Sequence, residues 1–185
     1  MRMDDLGLEL KFAGGAPVLT DEAGTAVIEG YASLFGLADQ GGHIVAPGAY
    51  SASLKRLAEK GDKVRMLWQH DPGQPIGIWD EVREDAKGLW VRGRLLPEVA
   101  QAREAAALIA AGAIDGRSIG YRTFRAERDA QGRRVLTEVE LWEVSLVTFP
   151  MLREAKVGRK SDDIDGEDAA GLAAMLRAAA EALRN

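Results

Sequence analysis

Gly116-Arg117-Ser118-Ile119-Gly120-Tyr121 sets a serine between two glycines where a helix gives way to a strand. Upstream, Pro97 suits the first turn of a helix that runs through alanine-rich sequence to about Ala111, and Gly112 is its natural stop. Downstream, Ser118 to Arg128 and Arg133 to Phe149 read as two strands joined by Asp129-Ala130-Gln131-Gly132, and Pro150 ends them. A serine at such a junction is either a turn residue or a nucleophile. A hydroxyl attacks only when a base within about 3 Å takes its proton and a third group orients that base. The reading therefore depends on what the rest of the chain supplies.

Working outward, β patterning dominates. Leu6, Leu8, Leu10 and Phe12 alternate, Thr25 to Phe35 reads as a stronger strand, and Gly36 to Gly48 as a loop. Ala49 to Lys60 takes helical spacing, with Gly61 placed as its C-terminal stop. Val64 to Gln69 is a strand that arrives at His70, and His70-Asp71-Pro72-Gly73-Gln74-Pro75 interrupts it. Ile76 to Arg83 and Leu89 to Leu95 pair as a hairpin across Glu84-Asp85-Ala86-Lys87-Gly88. Gly158 to Glu167 is a polar linker, and Ala169 to Leu183 carries an apolar stripe of Leu172, Met175, Leu176, Ala179 and Leu183. This divides the chain into a domain over 1–157 and an appended linker and helix over 158–185.

With 185 residues the chain suits one domain plus that tail. Absence of cysteine removes disulfides, thiolate metal sites and a cysteine nucleophile together. A net charge of -5 without a basic stripe argues against nucleic-acid binding. No apolar run approaches the roughly 20 residues of a membrane span, and the acidic N-terminus lacks the apolar run of a signal peptide. A cytoplasmic protein is expected, with no membrane partner. No cofactor or metal is expected either, because no His/Asp/Glu cluster has ligand spacing. Arg103-Glu104-Ala105-Ala106-Ala107-Leu108 opens like the helix of a Nudix pyrophosphohydrolase. Ala107 and Leu108, however, stand where that helix needs an acidic pair.

The chain has only two histidines. His43 lies in the glycine-rich loop. His70 ends a strand whose Met66 and Trp68 share its face by period-two counting, which sets the imidazole at the rim of a packed sheet. A strand-end histidine is also ordinary surface decoration. In the last strand, Val139, Leu141, Glu143, Ser145, Val147 and Phe149 share a face by the same counting, apolar except at Glu143 and Ser145. A carboxylate on a core face needs a partner, which a histidine N–H or an arginine can supply. Glu138, Glu140 and Asp71 compete with it for that place. Arg117 and Arg153 are candidates to stabilise an oxyanion, together with backbone amides near Met151 to Arg153.

Six segments in order carry a resemblance: Gly30-Tyr31-Ala32-Ser33-Leu34-Phe35, His43-Ile44-Val45-Ala46-Pro47-Gly48-Ala49-Tyr50, Met66-Leu67-Trp68-Gln69-His70-Asp71, Pro75-Ile76-Gly77, Ser118-Ile119-Gly120-Tyr121, and Leu141-Trp142-Glu143-Val144-Ser145-Leu146-Val147-Thr148-Phe149-Pro150. Over about residues 26–157 the chain resembles the HK97-type prohead proteases of tailed bacteriophages, also carried by prophages and gene transfer agents. The resemblance implies an α+β fold: a mostly antiparallel, β-barrel-like core flanked by helices, related to the herpesvirus assemblins, here with a C-terminal helical tail. It implies a serine endopeptidase with Ser118 as nucleophile, His70 as general base and Glu143 as the group that orients the histidine. The implied substrates are the scaffolding segment of the major capsid protein and the protease itself, inside the assembling capsid, with self-association left open. The alternative is a non-catalytic scaffolding or assembly module of the same fold.

Overall fold

The computed structural model describes residues 7–13, 18–22, 25–39 and 41–148. Runs rich in β-branched and aromatic residues become strands, and the two alanine- and leucine-bearing stretches become helices. The order is β1 (Glu9–Ala13), β2 (Val18–Glu22), β3 (Thr25–Leu34), β4 (His43–Val45), α1 (Ser51–Lys60), β5 (Arg65–Trp68), β6 (Asp71–Glu84), β7 (Gly88–Leu95), α2 (Ala100–Ala110), β8 (Gly116–Arg128) and β9 (Arg134–Val147). The nine strands of the described residues join one sheet in the path β1-β8-β9-β5-β6-β7-β3-β2, with β4 also on β9.

This sheet is mixed, which refines the mostly antiparallel core expected from the sequence. Most pairs are antiparallel, but β4 and β5 both run parallel to β9. The reason is local. β4 pairs with Arg134 to Leu136 and β5 with Glu143 to Leu146, so the two strands lie end to end along one edge of β9. Helix α1, about 15 Å long at 1.5 Å per residue, fills the gap between them. Its entry satisfies the β9 donors that no strand reaches: Val139 N–H donates to Ala49 O (3.0 Å) and Leu141 N–H to the buried Ser53 Oγ (2.9 Å). Gly61, left-handed at φ 64°, closes the helix by donating to Ala58 O. Strand β4 itself lies inside the stretch expected to be loop, and β6 starts at Asp71 rather than Ile76, within the run expected to interrupt the strand before it.

The sheet curls into a half-barrel. β8 and β3 are far apart along its path, yet Arg117 of β8 donates from Nε to Tyr31 O (3.0 Å) and from Nη1 to Glu29 O (2.8 Å) of β3. Gly30 permits this approach, since a Cβ there would sit 2.5 Å from Arg117 Nη1. Burial pushes the Arg117 pKa down to about 10. Ile28, Met66, Ile76, Trp79, Leu89, Ile119, Leu136 and Leu146 form the core with Tyr50 of the α1 entry and with Ala102, Ala105 and Ile109 of α2. The tail, its linker and Arg153 lie outside the described residues, as does the domain boundary expected at 157.

The β6–β7 hairpin expected from Glu84 to Gly88 is present. Asp85 organises its turn, accepting from Lys87 N–H (2.8 Å), Gly88 N–H (3.2 Å), Tyr31 OH (2.8 Å) and Arg83 Nη1 (2.9 Å). The Lys87 backbone bond leads in holding its carboxyl down to about 2, against an ordinary 3.8. A pKa depressed by folding means that the unfolded chain binds the proton more tightly. The stabilisation is therefore present above about pH 4 and is lost as pH falls through about 2. Asp85→Asn removes that dependence. The stability gap between wild type and Asp85→Asn should narrow from pH 5 to pH 2, measured by urea unfolding; a constant gap would contradict it.

Candidate active site

Ser118 is the third residue of β8, not a turn residue; the turn is made upstream, where Gly112 takes φ 72°. In the β8–β9 ladder Ser118 stands opposite Ser145 and Gly120 opposite Glu143. Opposed residues point to the same face. One face of this pair of strands therefore carries Gly116, Ser118 and Gly120 with Val147, Ser145 and Glu143. The other carries Arg117, Ile119 and Tyr121 with Leu146, Val144 and Leu141, and faces the core. Uniform period-two counting, which places Glu143 on the face of Leu141, fails here. Gly120 pairs with Glu143 but Tyr121 pairs with Leu141, so Trp142 is an extra residue that reverses the phase. Glu143 points away from the core and is nevertheless buried.

The histidine that covers it arrives by a second irregularity. In the β5–β9 ladder Met66 and Trp68 stand beside Val144 and Leu146, on the core face. His70 does not follow them, contrary to the period-two expectation. Gln69 and His70 take left-handed φ values of 51° and 59°, turning the chain straight into β6 and carrying the imidazole to the Glu143 face. Such conformations cost a non-glycine residue about 1 kcal/mol or more. Three bonds hold this one: Gln69 N–H to Leu146 O (3.0 Å), Gln69 Nε2 to Thr148 Oγ1 (2.6 Å) and His70 N–H to Ser145 Oγ (3.2 Å).

The result joins two of the three expected residues directly. His70 Nδ1 lies 2.7 Å from Glu143 Oε1, with side-chain exposures of 10% and 2%. Donation from Nδ1–H to the carboxylate puts the neutral ring's lone pair on Nε2, the nitrogen a general base uses. The competing carboxylates are engaged elsewhere: Glu138 with Arg56 and Arg125, Glu140 with Trp142 Nε1, and Asp71 with the Gly73 N–H.

Ser118 stands beside this pair, one strand away, but its hydroxyl is turned to a different neighbour. It is fully buried, and Oγ donates to Lys11 O (3.2 Å) of β1, where Phe12 is its ladder partner. β1 is anchored through the buried Lys11 ammonium, which bonds Asp39 Oδ2 (3.1 Å) and His43 O (2.8 Å). Desolvation lowers the Lys11 pKa, and Asp39 offsets part of that. His43 thus serves through its backbone. Arg117 is committed to the β3 carbonyls, which corrects its candidacy as an oxyanion donor; Arg153 and the amides near it lie outside the described residues.

Sequence reasoning assigned no role to Ser145, whose Oγ donates to Glu143 Oε2 and accepts from His70 N–H. The available signal was its polarity on a strand face that is otherwise apolar but for Glu143. Among the described residues no group of three His, Cys, Asp or Glu is placed to hold a metal ion, and no helix is long and apolar enough to cross a membrane.

A family model described as caudovirus prohead serine protease matches residues 16–169. The prohead protease of Enterobacteria phage HK97 is 33% identical over 161 residues, spanning 85% of this chain and 67% of that protein. The solved structure of the bacteriophage T4 capsid assembly protease superposes with a TM-score of 0.65 at 17% identity, over 77% of this chain and 98% of that one, and so shares the fold.

Proposed function

The chain belongs to the caudovirus prohead serine protease family, and from that premise we propose that it is an active serine endopeptidase of capsid maturation, with Ser118 as nucleophile, His70 as general base and Glu143 as its orienting carboxylate. The observation that carries this reading is the 2.7 Å contact between His70 Nδ1 and Glu143 Oε1 on the sheet face that bears Ser118. A buried carboxylate is costly, and a non-catalytic assembly module has no need to keep one clamped on an imidazole.

In this mechanism the Ser118 hydroxyl rotates about χ1 from the Lys11 carbonyl toward His70. Nε2 takes its proton as Oγ attacks a peptide carbonyl carbon. Glu143 stabilises the imidazolium, which then protonates the leaving amine and breaks the C–N bond. Water, deprotonated by the same imidazole, hydrolyses the acyl-enzyme and restores Ser118. The substrates are the scaffolding segment of the major capsid protein and the protease itself, inside the prohead assembling in the host cytoplasm. Residues 1–157 form the catalytic unit, and 158–185 are an appendage suited to packaging or self-removal.

Co-expression with the cognate major capsid protein tests this. The wild-type chain should shorten the capsid protein at its scaffolding segment, and His70→Ala should leave it at full length, read by intact mass. Normal trimming by His70→Ala would overturn the assignment of the base.

A further inference from the structure

We propose that Ser145 is a positioning residue that locks the Glu143 carboxylate and the left-handed His70 backbone in working geometry; this rests on the protease reading above. Ser145 is fully buried, two residues beyond Glu143 on β9 and directly opposite Ser118. Its single proton goes to Glu143 Oε2, and its oxygen accepts the His70 N–H at 3.2 Å. Glu143 reaches the His70 ring with the other oxygen, Oε1. One hydroxyl therefore closes a ring that runs from the His70 backbone through Ser145 and Glu143 to the His70 imidazole. Both ends of the histidine are held.

Each link has a physical purpose. A carboxylate on a two-carbon stem rotates freely unless both oxygens are bonded, and a rotated carboxylate loses the Nδ1–H that selects the tautomer. His70 has φ 59°, a conformation that persists only where its surroundings over-determine it. An alanine at 145 can make neither bond. A serine serving only to satisfy a buried strand position would need just one partner, and that partner need not belong to the site.

The test measures Ser145→Ala in the full chain. Expected are a fall in kcat of about 10- to 100-fold, KM nearly unchanged, and loss or broadening of the far-downfield Nδ1 proton resonance of His70 in NMR spectra. In a Glu143→Ala background the same substitution should cost clearly less than in the wild type, because the link through that carboxylate is already gone and only the bond to the His70 N–H remains. A wild-type kcat with an unchanged His70 resonance would overturn the proposal, as would a full additional loss in the Glu143→Ala background. Should Ser145→Ala not fold, Ser145→Cys, nearly the same size and a weaker donor, takes its place with the same expected direction. Ser118→Ala separates the two ideas. If it still cleaves, the protease reading fails; if it is dead while Ser145→Ala is fully active, only the positioning role fails.

Discussion

Ser118→Ala should reduce cleavage of the capsid protein by on the order of 10^5-fold, to background in a co-expression assay. Removing the nucleophile of a catalytic triad ordinarily costs about that much, because the remaining groups act only in concert with it. The fold should survive. The hydroxyl makes one bond among the described residues, to Lys11 O, and a lost neutral hydrogen bond costs about 1 kcal/mol. Intact capsid protein beside a soluble, cooperatively unfolding Ser118→Ala variant is the expected result. Trimming at the wild-type rate would sink the protease reading and leave the assembly module in its place.

Arg117→Ala should destabilise the fold by about 3–4 kcal/mol in urea unfolding. It leaves two β3 carbonyls, Glu29 O and Tyr31 O, without the donor that reaches across the half-barrel, and unmet buried polar groups cost about 1–3 kcal/mol each. It also opens a void beside Gly30, which has no side chain to fill it. Against a typical domain stability of about 5–15 kcal/mol this is a large share. Arg117→Lys should not rescue it, because an ammonium lacks the planar fork that serves two acceptors at once. Gly30→Ala strikes the same contact from the other strand, so the double variant should be clearly less damaged than the two single losses combined. A loss below about 1 kcal/mol for Arg117→Ala would mean that the half-barrel closes without this bridge.

Ser118, His70 and Glu143 are all legible as candidates in the sequence, each for a chemical reason. Only two histidines exist, so the base had few contenders. Glu143 interrupts the apolar run of one strand face, and a carboxylate there requires a partner. The mutual placement was not legible. Counting by twos put His70 with Met66 and Trp68, and Glu143 with Leu141, both on the core side. Two local irregularities reverse that: the left-handed pair Gln69–His70 and the extra residue Trp142 in β9. Neither Gln69 nor His70 announces its left-handed conformation, because the energy that holds it comes from bonds to Ser145 and Leu146 of β9 and to Thr148 just past it, all distant in sequence.

The same limit explains Arg117, which by sequence is only an arginine beside a serine. Its commitment to β3 exists because the sheet curls, and curling is a property of all the strands together. By itself, then, the sequence determined which groups are present, the strands and helices that their periodicity favours, and the family to which their order points. Folding in three dimensions decided which face each group occupies, that β4 and β5 run parallel to β9, and that Ser145 bonds both the Glu143 carboxylate and the His70 backbone. Strand periodicity is local and survives in the sequence. Register, bulges and crossovers are settled by contacts between distant segments, and no count along the chain contains those.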